Sequence, residues 1–244
     1  MTSLAIIGGS GVYALPGLIE QRLDRIVTPY GTVECSRGQL QGIEVVFLAR
    51  HGAQHRVPPH RVNYRANIAA LRSVGVEQVL ASNAVGGIHP ELAPGTFVVP
   101  DQLIDYTWGR VGTFYDDFED EACHVDMTQP FNEPLRLLLL DALGRLGVPT
   151  LSQGTYGCVQ GPRLETAAEV RRLRNDGCDM VGMTAMPEAA LAREAGLPYA
   201  SVCFSVNWAA GLQAHISMQD IALELDKAKR LLDALWSSCV QRLL

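Results

Sequence analysis

The sequence predicts an α/β fold in one domain, residues 1–244, with a largely buried sheet. Two observations predict it. Short apolar runs alternate with segments of helical period along the whole chain, and no Ser/Gly linker, charge block, repeat or composition shift divides the 244 residues. The first run, Leu4–Ile7, is a strand bounded by Gly8-Gly9, and Val45–Ala49 is the next. Apolar residues three and four apart predict a helix near 60–74, followed by strands at Val79–Ser82 and Phe97–Val99. The same criteria place helices near 133–146, 165–175 and 187–195, and strands at Thr155–Val159, Met180–Met183 and Ala200–Val206. The last helix, 217–240, opens on Ser217-x-x-Asp220, an N-cap hydroxyl and a first-turn carboxylate ahead of a long amphipathic run. Strand–helix alternation of this kind buries the sheet between helices. Trp108–Glu121 is polar, aromatic and acidic, and reads equally as a mobile loop or an ordinary surface excursion.

Composition narrows the class of function. Apolar residues make up 48% and charged residues 19%, as in soluble globular proteins, and the net charge of −6 disfavours nucleic acid or an anionic membrane as partner. A small anion in a local positive pocket stays compatible with that charge. Cys35, Cys123, Cys158, Cys178, Cys203 and Cys239 are widely spaced without a CxxC pair. They read as buried reduced thiols, neither a disulfide frame nor a metal site. The start MTSLAIIGGSG lacks the basic region of a signal peptide. No stretch approaches the roughly 18 apolar residues of a membrane span. The expectation is a cytoplasmic enzyme.

Three segments carry candidate chemistry. Gly9-x-Gly11-x-x-Ala14 fits a loose dinucleotide pattern, which requires a helix to start there and face a pyrophosphate. Pro16-Gly17 follows at once, and proline and glycine inside a helix cost roughly 3 and 1 kcal/mol. What remains suits either a lone phosphate, held by exposed amides and the Ser10 hydroxyl, or a plain tight turn. Arg50-His51 and Asn83-Ala84-Val85-Gly86-Gly87 each sit just after a predicted strand, where an α/β sheet places its ligand. Arginine grips phosphate through two parallel hydrogen bonds, histidine adds a donor, and small residues let main-chain amides approach. Taken singly, these pieces read more simply as an exposed arginine, a capping histidine and a turn.

Together, LARHGAQHRVPPHRVNYRANIAAL and VLASNAVGGI resemble the signature of the purine nucleoside phosphorylase and methylthioadenosine phosphorylase family. The resemblance continues in the opening GGSG, DQLIDYT at 101–107, CHVDMTQPF at 123–131, GPRLETAAE at 161–169 and MVGMTAMPEAALAREAGLPYASV at 180–202, and so covers essentially the whole chain. It implies a single α/β domain with a central mixed sheet flanked by helices, assembled as a homotrimer with sites near subunit boundaries. It also implies a purine nucleoside and inorganic phosphate as substrates, with no cofactor and no metal. Carried over residue by residue, Ser10, Arg50, His51, Asn83 and Thr184 align with phosphate contacts, and Ala84 contributes its N–H. Met183 aligns with the residue under the ribose, and His124 with a histidine that a neighbouring subunit lends to the 5′ end of the sugar. At 83 some relatives have Thr, so Asn83 keeps a polar side chain with a different reach.

The same resemblance bears on the substrate. Relatives that cleave adenine-type nucleosides carry two aspartates where this chain has Asn207-Trp208-Ala209, and Glu165 stands where 6-oxopurine enzymes carry a glutamate. Glu165 would accept N1–H, and Asn207 would bond N7 and O6 as charge builds on the departing base. Glu165 also reads as a carboxylate complementing a helix N-terminus. Leu164 replaces an aromatic residue that often stacks on the purine. At the 5′ side, relatives selective for ordinary nucleosides place a histidine early in the last helix. Met218 falls there, with Ile221 one turn on, which favours an apolar 5′ group such as methylthio; His215, three residues earlier, would restore a polar reading. The expectation is phosphorolysis of a 6-oxopurine nucleoside with an apolar 5′ group, in purine salvage, with Arg50, His51 and Asn207 as the catalytic set. The alternatives are a general inosine/guanosine phosphorylase, a methylthioadenosine phosphorylase, and a nucleoside-binding protein without catalysis.

Overall fold

The computed structural model describes residues 3–117, 124–213 and 215–243. Its first half runs β1 (Leu4–Gly8), β2 (Ile19–Thr28), β3 (Gly31–Leu40), β4 (Ile43–Ala49), a 3₁₀ turn at Pro59–Arg61, α1 (Tyr64–Ser73), β5 (Gln78–Gly87), β6 (Phe97–Val98) and β7 (Gln102–Asp105). The second half runs α2 (Glu133–Arg145), β8 (Thr150–Leu151), β9 (Thr155–Cys158), α3 (Ala167–Asn175), β10 (Met180–Gly182), α4 (Ala185–Glu194), β11 (Tyr199–Trp208) and α5 (Met218–Gln241). The strands form one mixed sheet in the order β2-β3-β4-β1-β5-β10-β9-β7, with β11 also on β5 and β6 and β8 continuing from β11.

Alternate residues of β1 feed two separate cores. Leu4 and Ile6 pack with Leu139 of α2 and Leu232 and Trp236 of α5. Ala5 and Ile7 pack with Ile68 and Leu71 of α1 and Leu191 of α4. Each fully buried side chain of this size contributes about 1.5–3 kcal/mol, so both faces of the strand must be apolar. That is why β1 reads as an unbroken run, and why the three-layer architecture was legible.

Every predicted strand and helix exists, with boundaries moved by local chemistry. Asn63 caps α1, its side chain accepting from Ala66 N (3.0 Å), so the 60–74 segment splits into a 3₁₀ turn and a shorter helix. In α4, Met186 is extended (φ −116, ψ 138), and the regular helix begins at Pro187, where the period puts it. Ser217 caps α5 as its motif predicts, accepting from Asp220 N (3.3 Å). The hairpin β2–β3 and the short strands β7 and β8 have no counterpart in the sequence reading. β2 is an edge strand that is exposed for most of its length and rich in charge, so it shows no buried run. The described part of the polar excursion, Trp108–Asp117, has no regular structure but is tied down by Phe114 N to Glu194 (2.7 Å) and Arg65 to Asp116 (2.7 Å); residues 118–121 lie outside the described residues. Cys35, Cys158, Cys178, Cys203 and Cys239 are buried free thiols, and Cys123 lies outside the described residues. Among the described residues, no helix is long and apolar enough to cross a membrane.

Candidate active site

The site begins as a gap in the sheet. β1 and β10 share one edge of β5: β1 pairs with it from Gln78 to Ala81, and β10 pairs antiparallel at Gly86 and Gly87. β11 covers the other edge as far as Gly87. Ser82–Val85 therefore expose one edge between the two strand ends, and a cavity of about 560 Å³ opens beside them. Asn83–Gly87 is thus the continuation of β5 rather than a turn after it, because the pairing with β11 persists. Close approach explains two glycines: a Cβ on Gly9 would meet Ser82 O at 2.4 Å, and one on Gly87 would meet Leu92 O at 2.0 Å. No helix follows Gly9, as Pro16-Gly17 requires.

One corner of the cavity is built on a buried charge pair. Arg50 is 2% exposed and forms a two-bond fork with fully buried Glu188, Nε to Oε2 and Nη2 to Oε1, both 2.6 Å. Nη1 donates to Ser82 O (3.0 Å), and Tyr199 OH donates to Glu188 Oε1 (2.9 Å). Burial alone would lower the arginine pKa, but the charge and hydrogen bonds of Glu188 outweigh it and hold the guanidinium ionised. The sequence reading gave the fork to phosphate. In the fold the fork belongs to Glu188, and the remaining Nη1 N–H is what Arg50 has to offer an anion.

Asn83 orders the next donor. Its Oδ1 accepts from Ser201 Oγ (2.9 Å), and its Nδ2 donates to Thr184 Oγ1 (2.9 Å). With its oxygen already accepting, the Thr184 hydroxyl is left to donate its proton. Ser10 and Ala84 line the same cavity. His51 differs from expectation. Its Nδ1 lies 2.7 Å from Val57 O, an acceptor, so Nδ1 carries the proton and neutral Nε2 has only a lone pair. Burial and the Arg50 charge lower its pKa to about 4. At neutral pH His51 therefore accepts, and an anion bearing a hydroxyl, such as hydrogen phosphate, suits it.

The other wall carries the base and sugar candidates. Leu164, Glu165, Asn207, Met183, Met218 and Ile221 all line the cavity that holds the phosphate set. Glu165 precedes α3 but does not cap it: Thr166 and Glu169 form the capping box, Glu169 N donating to Thr166 Oγ1 (3.1 Å) and Thr166 N to Glu169 Oε2 (2.7 Å). That frees Glu165 for the cavity, where burial raises its pKa. Asn207, 9% exposed, donates one Nδ2 proton to Trp208 O (2.7 Å) and keeps the other. Met218 lines the cavity and His215 is not among its lining residues. Met218 is nevertheless 69% exposed, at the mouth rather than in the core. His124 is exposed and outside this cavity.

Glu188, Tyr199 and Ser201 were missed. A signal for Glu188 existed: it shares a helical face with buried Leu191 and Ala192, where a carboxylate demands a partner. Tyr199 and Ser201 lie in an apolar strand, and nothing local marks their hydroxyls as network members.

Comparison with known proteins gives the family. Residues 3–240 match the family model described as the phosphorylase superfamily. A protein of Xylella fastidiosa (strain 9a5c) named probable S-methyl-5′-thioinosine phosphorylase is 53% identical over 223 residues, covering 90% of this chain and 94% of its own. The 6-oxopurine nucleoside phosphorylase of Pyrococcus furiosus is 47% identical over 234 residues, covering 94% and 88%. The solved structure of methylthioadenosine phosphorylase from Schistosoma mansoni in complex with adenine has a TM-score of 0.95 at 30% identity, covering 100% of this chain and 92% of that one.

Proposed function

The chain belongs to the phosphorylase superfamily, and on that premise we propose that it cleaves S-methyl-5′-thioinosine with inorganic phosphate, giving hypoxanthine and 5-methylthioribose 1-phosphate. The observation that carries the reading is convergence. Ser10, Arg50 and Thr184 face the same cavity as Glu165 and Asn207, with Ile221 lining it and Met218 at its mouth.

In the proposed reaction a phosphate oxygen bonds to C1′ as the C1′–N9 bond breaks, and the electron pair leaves on the purine. Glu165 accepts N1–H. Asn207 donates to N7, where charge builds before a solvent proton arrives. Since Glu188 already matches the Arg50 charge, bound phosphate keeps its negative charge beside the developing oxocarbenium ion. Holding the two reactants together supplies most of the remaining acceleration. Phosphate is the co-substrate, and the scheme uses no cofactor or metal. His124, exposed and outside the cavity, fits a residue lent to the 5′ group of a neighbouring copy, within a homotrimer. The chemistry suits purine salvage in the cytoplasm.

A second reading, a general 6-oxopurine nucleoside phosphorylase, is favoured by one observation: Met218 is exposed enough to leave room for a hydrated 5′-hydroxyl. Side-by-side rates of base release from methylthioinosine, inosine, guanosine and methylthioadenosine separate the two. Preference for methylthioinosine supports the first, equal rates on the three 6-oxopurines support the second, and fastest cleavage of methylthioadenosine defeats both.

A further inference from the structure

Arg110 stands half-buried in the irregular stretch Trp108–Asp117, its guanidinium 5.5 Å from the centre of the Tyr64 ring. All five of its N–H groups have acceptors. Nε donates to Gln160 Oε1 (3.2 Å), Nη1 to the carbonyls of Met183 (2.8 Å) and Met186 (2.5 Å), and Nη2 to those of Val159 (3.3 Å) and Gln160 (2.8 Å). With the Tyr64 hydroxyl also 3.4 Å from Nη1, a planar set of five donors all bonded at once is a task for guanidinium, not ammonium. None of these acceptors is a carboxylate, so neutralising an acid does not explain the residue.

The acceptors lie on two segments that lead into the cavity: Met183 lines it beside Thr184, and Val159 and Gln160 run on to Pro162, Leu164 and Glu165, which line it too. The β9–β10 ladder ends at Cys158 and Gly182, with Val159 N bonded to Gly182 O (2.8 Å) just beyond. From there the chains diverge. One passes through Gln160 to Glu165, and the other bears Met183 and Thr184. Arg110 bridges them past the end of the ladder. We propose that Arg110 is a positioning residue that couples the phosphate subsite to the base subsite. An anion on Thr184 fixes the Met183–Met186 backbone, and Arg110 passes that constraint to Gln160 and so to the segment carrying Glu165. The inference rests on the functional reading above, and Arg110 acts through the main chain without touching either ligand.

Calorimetric titration with hypoxanthine, with and without saturating inorganic phosphate, reads the coupling directly. Coupling between sites is typically 5–150-fold, so phosphate should tighten hypoxanthine at least about fivefold in the native protein and less than about twofold in Arg110→Lys. A merely structural arginine would lower the melting temperature and leave the ratio intact. Should the lysine variant not fold, Gln160→Leu removes one acceptor and should give an intermediate ratio. An unchanged ratio in the folded variant overturns the inference while the functional reading stands. A native protein that binds neither ligand overturns both.

Discussion

Replacing Glu188 with glutamine tests the phosphate corner most severely. The side chains of Glu188 and Arg50 are both 0% exposed. The substitution keeps the shape but turns one acceptor toward the arginine fork into a donor. An uncompensated guanidinium is then left in the interior. Removing one partner of a buried pair costs about 3–5 kcal/mol. For a domain of 150–250 residues each kcal/mol moves the midpoint by about 2–4 °C, so the melting temperature should fall by about 6–20 °C. Total stability is commonly about 5–15 kcal/mol, so the variant should still fold. It should also respond differently to phosphate, which becomes the nearest counter-charge for Arg50. Thermal melts at rising phosphate concentration should therefore give a larger upward shift in the variant than in the native protein. A loss below about 1 kcal/mol would refute the energetic reasoning. Equal phosphate shifts would separate Arg50 from the anion site.

Asn207→Asp should lower kcat/KM on 6-oxopurines by about tenfold or more, because a lost donor leaves charge on N7 unmatched, and should recover some activity on adenine substrates; unchanged selectivity removes Asn207 from the base site. Met218→His should move the ratio of inosine to methylthioinosine rates toward inosine by about tenfold, through a gained hydrogen bond and a lost thioether contact; a constant ratio shows that the 5′ group lies elsewhere. Glu165 must be ionised to accept N1–H and its pKa is raised, so activity on 6-oxopurines should fall on acidification with an inflection above the ordinary 4.5, and Glu165→Gln should remove that limb. His51 drops from 6.5 to about 4 on folding, so between those values the unfolded chain binds the extra proton and stability declines as pH falls. That decline amounts to at most about 3 kcal/mol, and His51→Gln should flatten it in melts across the same range.

The parts of the fold that were legible are those buried on both faces. β1, β4 and β11 announce themselves because two helical layers cover them, whereas β2 carries its charges into solvent and leaves no periodic trace. The candidate site was legible as a set of residues, and all but His124 converge on one cavity. Their hydrogen-bond roles were not. Whether Arg50 grips phosphate or Glu188 depends on a partner 138 positions away. Whether His51 donates or accepts depends on the Val57 carbonyl. Register problems sit between these extremes. Nothing local chooses Met218 over His215, but the Ser217 cap fixes where α5 starts and hence which side chain reaches the cavity mouth.

The central claim is that phosphate, not water, takes the sugar. Phosphorus NMR of methylthioinosine incubated with the protein and inorganic phosphate tests it most directly. The account predicts that the inorganic phosphate signal falls as hypoxanthine forms, with one equivalent of a sugar 1-phosphate in its place. Hypoxanthine and free methylthioribose with the phosphate signal unchanged would contradict it.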